Sequence, residues 1–165
     1  AEGREGDGEG DEQEHAAGEL SLGVMYHRGA GVARDYGKAL ALFKKAAARG
    51  DAQGHFNVGV MYANGQGVTR DEGLVVRELE AAAEAGAADA LPHLGDMAAN
   101  GRGGPRDLIA ACAWYRLALQ AGRKDMQGPW SRVMVQLNAR QRDQARARAE
   151  AFARRRDQAA VPGES

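Results

Sequence analysis

The spacing of apolar residues along the chain predicts pairs of short helices. In the predicted helix before Gly50, apolar residues recur at Leu40, Phe43 and Ala47, which is the spacing of one helix face. Comparable stretches follow at regular intervals, separated by short segments rich in glycine. The pattern between residues 15 and 125 therefore indicates an all-α architecture.

The whole pattern recurs every 36 residues. The segment from Leu22 to Gly50 returns without a gap at residues 58–86 and again at residues 94–122. Each copy is interpreted as helix A, a glycine loop, helix B and a glycine stop; in the second copy the two helices are predicted over 51–64 and 71–85. A repeat of this length indicates a solenoid, in which each unit buries its apolar face against its neighbours.

Several positions are occupied by the same residue type in every copy, and each has a physical reason. A glycine recurs inside helix A, where it costs about 1 kcal/mol relative to alanine, so its recurrence predicts close contact between helices. An aspartate recurs where helix B needs an N-cap, and a glycine recurs where helix B ends. The three sets are Gly23, Gly59 and Gly95; Asp35, Asp71 and Asp107; and Gly50, Gly86 and Gly122.

These positions carry a family resemblance. The second copy supplies Asn57, Gly59, Tyr62 and Asp71, and the first supplies the run from Ala39 to Gly50 that resembles the helix B signature. The chain from about residue 15 to residue 125 resembles the Sel1-like repeat family, which is related to tetratricopeptide repeats. The resemblance implies a right-handed α/α solenoid of about three helix pairs, followed by C-terminal capping helices.

The predicted organisation has four parts. Residues 1–14 hold seven acidic residues and four glycines and are expected to be disordered. The three repeats are expected at about 15–50, 51–86 and 87–122. Capping helices are expected over 126–157, with one helix over 129–137 and a longer one over 139–156 that Asn138 caps. Residues 158–165 are expected to form a flexible tail.

Charge is distributed unevenly along the chain. Residues 1–99 carry 9 basic and 17 acidic residues, a net −8, whereas residues 100–165 carry 13 basic and 6 acidic residues, a net +7. The arginines of the last helix form either a solvated helix face or a surface for an anionic partner. Nucleic acid is not expected, because no recognition motif accompanies them. The start at Ala1, followed by an acidic stretch, favours export to a bacterial periplasm over the cytoplasm.

The sequence predicts no catalytic, metal or cofactor site. The four histidines occupy different repeat positions, and none lies in a zinc-binding pattern. The single cysteine, Cys112, is expected to be a small core residue. No apolar run is long enough to span a membrane.

A binding surface is therefore the expected function, with a protein or peptide partner and a monomeric chain. In related solenoids, the A helices line the concave face. The row expected to line it comprises Ser21, Met25, Arg28, Asn57, Met61, Asn64, His93, Met97 and Asn100. The adjacent stripe of helix A, which includes Leu22, Gly23 and Tyr26 in the first copy, is expected to be in the core. The alternative for the row is that the methionines pack between successive A helices and that Asn64 and Asn100 cap helix ends.

The resemblance implies a non-catalytic adaptor, with roles such as assembly of envelope complexes, regulation of signalling or neutralisation of a partner. An inhibitor or immunity-type protein that blocks an enzyme or toxin is a second hypothesis. A cell-wall or polysaccharide-associated accessory protein is a third.

Overall fold

Residues 7–160 form a series of helices in the computed structural model, and they are the residues that the structure describes. Three antiparallel helix pairs are followed by a C-terminal segment. The helices are α1 (Asp7–Arg28), α2 (Tyr36–Ala48), α3 (Ala52–Asn64), α4 (Glu72–Glu84), α5 (Ala90–Asn100), α6 (Leu108–Gln120), a 3₁₀ turn (Lys124–Met126), α7 (Gln127–Met134) and α8 (Ala139–Ala160). The predicted all-α solenoid of three helix pairs is confirmed, and no strand occurs within residues 7–160.

Aspartates and glycines set the ends of these helices. The carboxylates of Asp35, Asp71 and Asp107 accept backbone amide hydrogens three residues ahead, at 3.0, 3.1 and 2.9 Å. Each bond satisfies one of the free amides at the start of a B helix. Gly65 and Gly101 end two A helices in the left-handed conformation, with φ of 63° and 65°. The predicted caps are therefore present, and glycine rather than asparagine occupies the C-cap after Asn64 and Asn100.

The expected disorder of residues 1–14 is wrong from Asp7 onwards, because α1 begins there. Arg49 at the end of α2 donates to Glu12 at 2.6 Å and to Glu19 at 3.0 Å. Ala16 lies between these two carboxylates in the chain and is 3% exposed. The repeat array thus provides contacts for an acidic segment that cannot bury apolar surface by itself. Residues 1–6 lie outside the described residues.

The C-terminal segment closes the array differently from the prediction. A 3₁₀ turn leads into α7, which contains Pro129 in its first turn and ends at Met134 rather than at residue 137. Asn138 and Gln141 exchange two hydrogen bonds of 2.9 Å at the start of α8, which is a reciprocal cap. α8 packs against α6 and also reaches α4, burying Phe152. It continues through residues 158–160, which were expected to be a tail; residues 161–165 lie outside the described residues.

In the first and third repeats, close contact between the two helices depends on the glycine of helix A. A Cβ atom added at Gly23 would lie 2.6 Å from the ring of Phe43, and one at Gly95 would lie 2.5 Å from the ring of Tyr115. Gly59 faces the smaller Leu79, and an added Cβ there would lie 3.4 Å away. The predicted helix contact is thus present, and it is tightest where an aromatic ring occupies the B helix.

This difference predicts unequal effects for the same substitution. Gly95→Ala should lower the free energy of unfolding by about 2 kcal/mol, because overpacking a core costs about 1–3 kcal/mol. Gly59→Ala should leave the free energy of unfolding unchanged or raise it by up to about 1 kcal/mol, because the added Cβ would make an ordinary contact and alanine favours the helix. Urea unfolding followed by circular dichroism measures both. Equal losses in the two variants would contradict the assigned contacts.

Candidate functional site

A depression on the A-helix side lies between the second and third repeats. Its volume is about 370 Å³, and this α3–α5 groove has an apolar floor and a polar rim. The floor includes Val75 and Leu79 of α4. The rim residues come from α3, from α5 and from the loops that follow these two helices: Asn64, Arg70, His93, Asp96 and Arg102.

A second, smaller depression lies between the first and second repeats. It has a volume of about 170 Å³ and is lined by residues of α1, α2 and α3, among them Val24, His27 and Asn57. His27 also shares a hydrogen bond of 3.0 Å with Gln66 in the next repeat's loop. This bond joins α1 to the loop that follows α3.

The structure divides the predicted binding row into three groups. Arg28, Asn57 and Met61 line the smaller depression, and Asn64, His93 and Met97 line the α3–α5 groove. Ser21, Met25 and Asn100 line neither. Six of the nine residues thus line two neighbouring depressions, which share Val60.

The methionines in the second and third repeats are core residues. Met61 is 1% exposed and Met97 is 5% exposed, so neither can supply a large contact area to a partner. Their expected role in partner binding is therefore corrected to packing between repeats. Met25 is 39% exposed, and so is Leu22, which was expected to be in the core. The cause is position, because the first repeat has no preceding helix pair against it among residues 7–160.

Sequence reasoning missed several residues of the groove. Val60 and Asp96 occupy the same repeat position, one residue before the methionine, and both line the depression. A rotation of about 100° around the helix separates adjacent residues, so a one-residue shift selects another face. Arg70 and Arg102 lie in the loops and have no helical periodicity to reveal them. The repeated Gly-x-Gly loops were the available signal that these segments lie beside the A helices.

The two arginines at the rim differ in whether they form an ion pair within the described residues. Arg102 Nε donates to Glu72 Oε1 at 3.1 Å. Arg70 forms no ion pair with any residue in the described part of the chain, and its stem packs over Gly65. His93 stacks at a tilt against Phe56, with ring centroids 5.7 Å apart. The rim therefore presents one guanidinium that is not neutralised, next to polar side chains.

A hydrogen bond supports the third-repeat side of the groove. The hydroxyl of Tyr115 donates to Asp96 Oδ1 at 2.5 Å. Burial and this bond to a carboxylate raise the pKa of Tyr115 well above its ordinary value. The side-chain amide of Asn100 donates to the Asp96 carbonyl oxygen at 2.8 Å. The orientation of Asp96 is thus fixed by α6, and Asn100 supports the end of α5.

Several arginines of α8 have partners within the chain. Arg148 lies 3.3 Å from Asp107 and Arg146 lies 3.2 Å from Asp143. Arg142 donates to the Met134 carbonyl oxygen at 2.9 Å, and Arg155 lies over the ring of Phe152. These contacts favour the interpretation of α8 as a solvated capping helix.

The single cysteine has a structural role. Cys112 is 2% exposed, as expected for a core residue, and burial raises the pKa of its thiol. No group of three His, Cys, Asp or Glu residues within 7–160 could hold a metal ion. Across the same residues, no helix has the length and apolar character needed to span a membrane.

The comparisons with known proteins agree with this geometry. The sequence profile of the Sel1 repeat matches residues 16–51, 52–74 and 88–122, which together are more than half of the chain. The chain belongs to the Sel1 repeat family. The resemblance drawn from the repeated glycines and aspartates is thereby confirmed. No functionally curated protein matches the chain.

Two bacterial structures share the fold. One is c5321, a protective antigen present in uropathogenic Escherichia coli strains, with 39% identity and a TM-score of 0.64; the match covers 67% of this chain. The other is a Sel1 repeat protein from Oxalobacter formigenes, with 29% identity, a TM-score of 0.68 and 70% coverage. The matches span 24% and 47% of those two chains, which are longer than the matched region.

The raised pKa of Tyr115 predicts a loss of stability in alkali. Its phenol ionises near pH 10 in the unfolded chain, at about the ordinary value, and only at higher pH in the folded chain. The contribution of Tyr115 is therefore complete below pH 10 and decreases as the pH rises above it.

Tyr115→Phe keeps the ring against Gly95 and removes the ionisable hydroxyl. Urea unfolding should show a wild-type advantage that is constant below about pH 9 and shrinks above about pH 10, where the unfolded phenol loses its proton. An advantage that stays constant up to high pH would refute the assignment.

Proposed function

We propose that this chain is a non-catalytic protein-interaction module that binds an extended peptide segment with an acidic side chain in the α3–α5 groove. Sel1 repeats commonly form protein-interaction scaffolds, and the family is typically non-catalytic. The observation that supports the groove is the combination of an apolar floor with a free guanidinium at its rim. Val60 and Ala63, which are partly exposed beside the packed floor, favour apolar groups of the partner, and a few polar groups set its orientation.

The polar rim suits a peptide backbone. Asn64 has an amide that can both donate and accept hydrogen bonds, and His93 can do either according to its tautomer. Both are exposed, so a partner can reach them. Arg70 can form a two-pronged contact with a carboxylate, which gives direction as well as attraction. The groove therefore favours a peptide carrying aspartate or glutamate beside an apolar residue.

The rigidity of the floor favours selective recognition. Val75, Leu79 and Met97 are at most 5% exposed, so their positions are fixed by packing. Tyr115 holds Asp96 at one wall, and the stem of Arg70 rests on the loop at Gly65. A partner thus meets a surface that is already ordered, which reduces the entropic cost of binding.

Selection from a displayed peptide library tests the proposal. We expect enriched peptides to combine an acidic residue with an apolar one. Arg70→Glu should reverse the charge preference towards lysine and arginine, because it replaces the free guanidinium with a carboxylate. Val60→Glu should remove binding, because it places a charge against the apolar part of the groove.

Val135→Glu is the matched control, since Val135 is 77% exposed and lies in the C-terminal segment. It should bind as the wild type does, and circular dichroism should show that all variants keep their helicity. Enrichment that does not change in Arg70→Glu would overturn the groove assignment. Co-sedimentation with peptidoglycan, without peptide enrichment, would instead indicate the cell-wall accessory function.

A further inference from the structure

In the second and third repeats, one face of the A helix is covered by the B helix of the preceding repeat. In α3 this face is formed by Gly54, Val58 and Met61, and both Val58 and Met61 are 1% exposed. They pack in one cluster with residues of α2, and an added Cβ at Gly54 would lie 2.7 Å from the Ala47 amide nitrogen. This face of α3 therefore packs against a side of α2 that carries small residues.

The third repeat repeats this arrangement with different residues. Ala90, Leu94 and Met97 of α5 are 0%, 2% and 5% exposed. They belong to one cluster with Ala82 and Ala83 of α4. The same three repeat positions therefore form an interface with an alanine-bearing B helix twice in this chain.

The equivalent face of α1 is uncovered in the described residues. It consists of Gly18, Leu22 and Met25, which lie 36 positions before the α3 residues. Leu22 and Met25 are each 39% exposed, and a Cβ added at Gly18 would meet nothing within 4 Å. We define these three residues as the α1 face. Its composition resembles that of the covered faces of α3 and α5, but no helix among residues 7–160 covers it.

Within residues 7–160, the path of the chain places no preceding B helix on the α1 face. Gly50, Gly86 and Gly122 have φ of 85°, 105° and 92° where the chain turns from a B helix to the next segment. The corresponding position in the first repeat is Glu14, which lies inside α1, and that helix continues back to Asp7. The chain therefore makes no turn there that would lay a preceding B helix on the α1 face.

The acidic residues beside the α1 face indicate which charge a partner helix should carry. Asp11 and Glu14 precede Gly18 at helical spacing, so they extend the same side of α1, and both are exposed. A B helix runs antiparallel to the A helix that follows it, with its C-terminal end near the start of that A helix, as Ala47 lies at Gly54. A helix docked in the same way would place its last turns beside these two carboxylates.

We propose that the α1 face binds an amphipathic helix of another protein, which presents alanines on its contact side and lysine or arginine in its last turns. This surface is separate from the α3–α5 groove, so the protein holds two partners at different places. α2 itself has the required chemistry, with Lys44 and Lys45 beside Ala46 and Ala47 and with Arg49 after them. A peptide of residues 35–50 is therefore a suitable probe.

The probe is a fluorescent synthetic peptide of residues 35–50, held helical by a staple between positions 37 and 41, which are exposed in α2. Fluorescence anisotropy measures its binding to the full chain. Leu22→Glu/Met25→Glu should weaken binding about tenfold or more, the factor that corresponds to about 1.4 kcal/mol. Asp11→Lys/Glu14→Lys should weaken binding chiefly at low salt, because exposed charges are screened at high salt.

Two controls make the test specific. Val135→Glu should bind the probe as the wild type does, and a peptide with Ala46→Glu and Ala47→Glu should not bind. Equal binding to the wild type and to Leu22→Glu/Met25→Glu, or no binding to the wild type, would overturn the proposal. Sedimentation that shows a wild-type dimer lost in Leu22→Glu/Met25→Glu would also overturn it, because a second copy would then be the occupant.

Discussion

Close approach of helices at small residues is the constraint on which this structure depends. Gly23 and Gly95 give the rings of Phe43 and Tyr115 space to lie against the helix A backbone. Gly54 allows α3 to approach the Ala46–Ala47 segment in the same way. These contacts fix the distance within and between repeats, and the apolar positions beside them are buried as a consequence. Dispersion contacts at such short range are individually weak, but they are numerous in a densely packed interior.

The same packing accounts for both surfaces described above. A solenoid stabilises each unit mainly through its neighbours. The grooves of this chain lie between neighbouring repeats, and its exposed apolar face lies at the first repeat of the described residues. The α3–α5 groove has a floor of packed core residues, and its rim comes from loops that the glycines shape. The α1 face is an ordinary inter-repeat surface without its neighbour. At the other end, the polar helix α8 covers α6 and closes the array.

Electrostatics act mainly at the edges of this fold. Buried residues are apolar in the described part of the chain, whereas ion pairs such as Arg49–Glu19 and Arg102–Glu72 lie on partly exposed surface. Pairs of this kind contribute little to stability, with a median of about 0–1 kcal/mol. They instead determine which charges remain available. Arg70 remains available beside the groove, and Asp11 and Glu14 remain available beside the α1 face.

The sequence by itself determined the repeat period, the helix pairs, their aspartate caps and their glycine stops, because these features depend on local backbone conformation and hydrogen bonding. It also determined the family. Only the tertiary structure decided that Met61 and Met97 are core residues while Met25 is exposed. The three methionines have the same local pattern, and what differs is whether a B helix from the preceding repeat lies against them. The acidic composition of residues 7–14 likewise did not show that they continue α1, where Glu12 accepts a hydrogen bond from Arg49 in a distant part of the chain.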